Sequence, residues 1–249
     1  MNKIIVTGDI HGNPFQRLNL ENFPEGKTFT KEDYVIILGD FGLVWDDSAM
    51  EHSCLDWLEN KPWTTLFIDG NHENYDLLNK FPIEEWGGGR VQKIRSSVIH
   101  LLRGEVYDIG GYKFLAMGGA RSHDIQDGVL EVGDPRIKIW KKDDFKLFRI
   151  NHISWWEEEI PNEKERKNAL KNLAENDYKI DYILTHEAPS SDVVLMDHLL
   201  YHPDEYSKWL EMEIRQKVKY KKWFFGHYHL NLDVNEKETC LFERRIRIV

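Results

Sequence analysis

Six short apolar runs, each stopping at a glycine or a threonine, constrain this chain more than any other feature: "KIIVTG", "YVIILG", "TTLFIDG", "KFLAMGG", "DYILTH" and "KWFFGH". Runs so rich in Val, Ile, Leu and Phe, and so abruptly ended, fit strands buried on both faces. Helical patterns lie between them. Ser48 with Glu51 predicts a capping box ahead of "CLDWLEN", with Pro62 just past the end. "YDLLNKF" starts a helix after the third run, and 162–176 reads as a charged surface helix with Leu170 and Leu173 on one side. A further helix over 204–220 carries Leu210, Ile214 and Val218 on one face, and the tail "ETCLFERRIRIV" alternates like a closing strand or hairpin. Strands alternating with helices make an α/β fold. No repeat, low-complexity tract or Gly/Ser linker interrupts the 249 residues. One domain over 1–249 is expected, its least regular stretch, about 121–161, being an inserted loop or lid.

Polar residues at the ends of the runs ask for a second explanation. Asp69-Gly70 would suffice to turn the chain after "LFI", yet Asn71 and His72 follow at once. Asp9 and His11 follow the first run, Asp40 the second, His186 the fifth, and His227 and His229 the sixth. In open α/β sheets functional groups collect at the carboxyl ends of strands, so these two Asp, one Asn and five His belong on one rim. Oxygen and imidazole donors without thiolate suit divalent first-row metals, Mn first, with Fe, Ni or Zn as alternatives. The set is too large for a single ion with an open position and fits two ions about 3.5–4 Å apart sharing a carboxylate. Asp40, alone on its strand, is the natural bridge. Gly8, Gly39, Gly70 and Gly226 stand before ligands, where a missing Cβ permits a sharp turn and close approach.

Composition bounds the partners. A formal net charge of −10 opposes nucleic acid and anionic membranes, although bound cations can reverse the field locally and leave nucleic acid open. No run reaches the length of a membrane span, and "MNKIIVTGD" reads as a first core strand rather than a signal peptide. Cys54 and Cys240 have no CxxC spacing and read as reduced thiols of a cytoplasmic protein. The run "KVKYKK" reads as a solvated helix end.

"GDIHG", "GDFG", "GNHE", "THEAP" and "GHYH", in that order over residues 8–229, resemble the calcineurin-like metallophosphoesterase family. "GGARSHD" followed by "SWWEEE" is similar to its compact stand-alone bacterial and phage members. The resemblance implies a four-layer α-β-β-α sandwich, two mixed sheets with flanking helices. It implies one ion on Asp9, His11, Asp40 and His229, another on Asp40, Asn71, His186 and His227, and a phosphoesterase in which a metal-bridging hydroxide attacks phosphorus. His72 would be the general acid. The substrate is then a phosphodiester or phosphomonoester, a nucleotide among the candidates, with Arg121, His123 and Arg90 as contacts and Asp124 beside His123. Trp155 and Trp156 read as core or lid packing rather than a base-stacking pair. In the family's Ser/Thr phosphatases an Asp-Arg-Gly segment follows the bridging Asp; here Leu43 and Val44 stand at its Asp and Arg places. That departure weighs against a phosphoprotein phosphatase and removes the usual carboxylate partner of the acid, for which Asp46, Asp47 and Asp69 are candidates. A non-catalytic binding module on the same fold is the other alternative, opposed by the complete ligand set.

Overall fold

Alternation along the strands sorts apolar side chains onto two faces, and the sorting builds the layers. The computed structural model describes residues 2–196 and 202–249. Its strands are β1 (Ile4–Thr7), β2 (Tyr34–Leu38), β3 (Thr64–Ile68), β4 (Ile83–Trp86), β5 (Gly89–Arg95), β6 (Val98–Leu101), β7 (Glu105–Ile109), β8 (Tyr112–Met117), β9 (Gly128–Leu130), β10 (Phe148–Ile150), β11 (Tyr182–Thr185), β12 (Lys222–Phe225), β13 (Leu232–Asp233), β14 (Glu238–Cys240) and β15 (Arg245–Arg247). One sheet runs β15-β1-β2-β3-β6-β5-β4 and the other β13-β14-β12-β11-β8-β7, while β9 and β10 pair with each other. In the first, β1, β2, β3 and β6 are parallel, and β15 and β5 run antiparallel to their inner neighbours. In the second, β8, β11, β12 and β14 are parallel between antiparallel β7 and β13.

Ile4, Val6, Ile36 and Leu66 of the first sheet share a core with Phe114, Ala116, Leu184 and Phe224 of the second. On the first sheet's other face Ile5, Val35, Ile37 and Phe67 pack beneath Leu55 and Leu58 of the helix Ala49–Glu59. On the second sheet's other face Leu115, Ile183, Trp223 and Phe225 pack beneath Ala169 and Leu173 of the helix Glu163–Glu175, and beneath Leu210 and Ile214. The result is the expected four-layer α-β-β-α sandwich, and all six apolar runs are strands within it.

Local expectations fare unevenly. Ser48 accepts the Glu51 N–H at 3.3 Å, but the box stays half closed because the Glu51 carboxylate takes the N–H groups of Trp45 and Asp46 instead, at 2.5 and 2.9 Å. The helix after the third run is a single turn, Tyr75–Leu78. The helix expected over 204–220 runs Glu205–Trp209 and then widens into a π-helical segment, Leu210–Arg215, while Leu210, Ile214 and Val218 are buried as expected. The tail is no hairpin: β14 lies beside β12 in one sheet and β15 beside β1 in the other. The antiparallel strands of 83–109 carried no sequence signal. Within 121–161 lie β9, β10 and the short helix Arg136–Trp140. Trp156 is buried and its indole N–H donates to Asp76 at 2.8 Å. Cys54 and Cys240 are free and buried. Among the described residues no helix is long and apolar enough to cross a membrane.

Candidate metal centre

Parallel strands aim their carboxyl ends at one place, and the eight rim residues follow five of them: β1, β2, β3, β11 and β12. Asp9, Asp40 and His186 are each no more than 1% exposed. His186 Nε2 lies 3.2 Å from Asp40 Oδ1 and 3.3 Å from Asn71 Oδ1, while its Nδ1 is fixed by the Leu38 carbonyl at 2.6 Å. On the other side His11 Nε2 and His229 Nε2 stand 2.9 Å apart, and Asp9 Oδ2 is 3.4 Å from the His229 nitrogen. Two groups emerge whose ligand atoms lie within 4.8 Å of one another: Asp9, His11 and His229, and Asp9, Asp40 and His186. Asp9 belongs to both, and Asp40 also reaches both sides, its Oδ2 being 3.8 Å from His11 Nδ1. His227 donates its backbone N–H to the Asp9 carboxylate at 3.2 Å, and its ring centroid lies 5.0 Å from that of His186.

The local backbone is bent to present these groups. His11, Asp40, His227 and His229 have φ of 45°, 44°, 69° and 52°, a left-handed conformation that costs a non-glycine residue roughly 1–3 kcal/mol. Gly39 has φ 92°, and a Cβ there would fall 2.2 Å from His186 Nδ1. A Cβ on Gly70 would fall 2.1 Å from Asp40 Oδ1. Either substitution would drive a methyl into the cluster.

Electrostatics identify what the cluster calls for. Two carboxylates are buried together, and the nearest countercharge is imidazole. Burial alone would lower the pKa of His186, yet Asp40 and Asp9 push it up to about 10. Burial holds His227 well below the ordinary histidine range. A buried dianion faced by neutral-capable nitrogens, with an amide oxygen at its edge, is a donor set that divalent cations satisfy. The residues fit the ions that the sequence pattern implies.

His72 lines a cavity of about 350 Å³ with His11, Leu43, Trp45 and Met50. Its backbone N–H donates to Asp40 Oδ1 at 2.8 Å, and its ring centroid is 5.5 Å from that of His11. None of the three candidate carboxylates is hydrogen-bonded to it. Asp69 binds His100, Arg103 and Tyr75, Asp47 binds His52, and Asp46 takes the Ser48 N–H. Burial lowers the pKa of His72, and the carboxylates whose charges oppose that are Asp40 and Asp124.

His123 and Arg121 line a cavity of about 300 Å³ together with His227 and Tyr228. Arg90 is not brought to the cluster: it pairs with Glu105 at 2.6 Å and lines a separate cavity with Asp69, His100 and Arg103. Several supporting residues escaped the sequence reading because their partners are distant in the chain. Asn71 Nδ2 donates to Ser122 Oγ at 3.2 Å, and Ser122 donates in turn to Glu159 at 2.5 Å. That bond leaves Asn71 Oδ1 facing His186. Asp124 grips Arg149 through both carboxylate oxygens. Glu73 accepts the N–H groups of Phe41 and Gly42, and burial, together with the charge of Asp40, pushes it up to about 8.

A family model described as calcineurin-like phosphoesterase matches residues 2–231. Among solved structures the chain is similar to a phosphopantetheinyl hydrolase from Mycobacterium tuberculosis, at 12% identity over 97% of this chain and 89% of the other, with a TM-score of 0.45. No curated protein sequence matches the chain.

Proposed function

Because the chain belongs to the calcineurin-like phosphoesterase family, and is by that membership a phosphoesterase, we propose that it hydrolyses phosphodiesters with two divalent ions, Mn²⁺ first among them. The observation that carries the reading is the convergence of Asp9, His11, Asp40, His186 and His229, from four strand ends, into two overlapping ligand groups. Asp9, His11, Asp40 and His229 would hold one ion, and Asp40, Asn71, His186 and His227 the other. Bound there, the ions supply Lewis acidity, polarising phosphoryl oxygens and lowering the pKa of water.

The chain's own residues do the rest. Asp40 and the Leu38 carbonyl fix the His186 ring from two sides. Ser122 and Glu159 orient the Asn71 amide. His72, anchored through its N–H to Asp40, protonates the departing oxygen from its ring, and the leaving group lies in the cavity it shares with Trp45 and Met50. Leu43 in that wall, with Val44 buried beside it, replaces the charged residues of the protein phosphatases. This weighs against a phosphoprotein substrate. Arg149, held by Asp124 on the segment 121–161 and acting by its charge on His72, is a candidate to replace the missing arginine. We read that segment as a lid on a single domain.

Hydrolysis of bis-p-nitrophenyl phosphate and p-nitrophenyl phosphate tests the reading. Activity is expected to disappear on dialysis against EDTA and to return with Mn²⁺, with the diester turned over faster. A chelator-resistant activity, or none with Mn²⁺, Fe²⁺, Ni²⁺ or Zn²⁺, would refute it. Ser122→Ala is expected to raise the Mn²⁺ concentration for half-maximal activity roughly 10–100-fold, as loss of an outer hydrogen bond to a ligand does. A Mn²⁺ titration of the variant checks this.

A further inference from the structure

A second cavity, of about 370 Å³, meets the first at His11 and is lined by Asp9 and His11 together with Arg17, Phe242, Glu243 and Arg245. Both of its arginines spend hydrogen bonds on neutral oxygens. Arg17 donates to the Gly8 carbonyl at 2.8 Å and the Thr7 hydroxyl at 3.2 Å. Arg245 donates to the carbonyls of Arg17 and Asn22, at 3.0 and 2.8 Å. Among the described residues neither guanidinium has a carboxylate oxygen within 4 Å, although Asp9, which faces His11 and His229, and Glu243 line the same cavity. Burial lowers the pKa of Arg17, the charges of Asp9 and Glu243 oppose that, and the charge of Arg245 adds to it. Aromatic rings hold both heads in place: Arg17 lies 5.5 Å from the Phe242 ring and Arg245 5.4 Å from Phe23. Phe242 itself stacks on the ligand His229, centroids 4.4 Å apart and planes 20° apart. Two fixed guanidiniums at the edge of the candidate metal centre are a receptor for an oxyanion such as a phosphate group.

The position of His72 says which part of a substrate reaches them. His72 lines the Trp45 cavity and not this one, so the group leaving beside it departs into the Trp45 cavity. Whatever occupies the arginine cavity stays on the phosphate. We infer that the cavity between Arg17 and Arg245 binds the retained arm of a phosphodiester substrate, and that this arm carries a phosphate of its own. The inference rests on the phosphodiesterase reading and narrows it. In the reaction the oxygen of water bonds to phosphorus and the P–O bond to the alcohol in the Trp45 cavity breaks. That alcohol oxygen gains a proton, and the product keeps both phosphates. Glu243, exposed at the rim, opposes the anion and sets an upper limit on its affinity.

The test compares thymidine 5′-(p-nitrophenyl phosphate) with the same ester phosphorylated at the 3′ hydroxyl. The expected result is a preference of at least about tenfold in kcat/KM for the phosphorylated ester, carried by KM. Arg17→Gln and Arg245→Gln should each cut that preference by about tenfold, the usual scale for a charged hydrogen bond, and Glu243→Gln should increase it. Absence of a preference in the wild-type protein, or a preference kept within twofold in both arginine variants, overturns the inference. Calorimetric titration with inorganic phosphate in EDTA gives a readout independent of turnover: weaker binding in either arginine variant supports the subsite, and equal binding in both overturns it. Failure of the wild-type protein to hydrolyse either ester with any of the four metals would instead sink the phosphodiesterase reading, and the titration alone would then decide the subsite.

Discussion

Asp40→Asn is expected to lower kcat/KM for bis-p-nitrophenyl phosphate roughly a thousandfold or more, about 4 kcal/mol of barrier. The substitution isolates charge from shape. An asparagine oxygen can still accept the His72 N–H that Asp40 Oδ1 now accepts at 2.8 Å, so the loop after β3 keeps its anchor. What disappears is one of two buried negative charges, placed 3.2 Å from His186 and 3.8 Å from His11. Removing a single neutral donor from a preorganised site commonly costs about 10²–10³, and a charge that touches both ligand groups should cost more. Elemental analysis ought to show metal content reduced below that of the wild type, and thermal unfolding ought to show a folded protein. A fully active, folded Asp40→Asn protein would remove the basis of the metal-centre reading.

His72→Ala is expected to have an effect that depends on the alcohol expelled. A p-nitrophenolate leaves without a proton, so the loss there should be small, within about tenfold. An alkoxide does not, and for an alkyl leaving group the loss should reach the roughly 10²–10⁴ typical of general-acid catalysis. The diagnostic is the slope of log kcat against leaving-group acidity over a series of aryl and alkyl esters, which steepens when the acid is lost. Equal losses across the series would make His72 a positioning residue, consistent with its N–H contact to Asp40 but not with proton transfer.

The parts of this site that could be read from sequence are those in which a local pattern carries the information. A buried parallel strand must be continuously apolar, so β1, β2, β3, β8, β11 and β12 stand out, and the polar residues at their ends stand out against them. The strands of 83–109 are hidden because β4 is largely exposed and charged, "IEEW", and β5 buries Val91 and Gln92 side by side and shifts register after Lys93, which breaks its alternation. Nothing in such a stretch separates a strand from a loop. Arg90, expected as a substrate contact, pairs with Glu105 instead, because residue type alone does not tell a phosphate-binding arginine from one in an ion pair. Contacts across the chain are invisible in any window. Ser122 lies 51 residues from the Asn71 it orients, and Arg149 lies 25 from Asp124. The left-handed backbone at Asp40 and at three histidines falls on residue types that adopt it more readily than most, but residue type does not say which Asp or His will do so.

The crossing of the tail from one sheet to the other bears on how this protein is made. Gly8 N–H donates to the Phe242 carbonyl at 3.1 Å, and β15 covers the flank of β1, pairing Ile5 with Arg247 and Thr7 with Arg245. A ribosome that has just emitted the opening fifty residues has therefore released the strand bearing Asp9 and His11 with one hydrogen-bonding edge bare. It stays so until about two hundred more have emerged, an interval of roughly 10–40 seconds at ordinary elongation rates. During that wait the nascent chain offers an unpaired edge to its neighbours, and chaperone dependence should fall sharply once β15 is free to pair with β1.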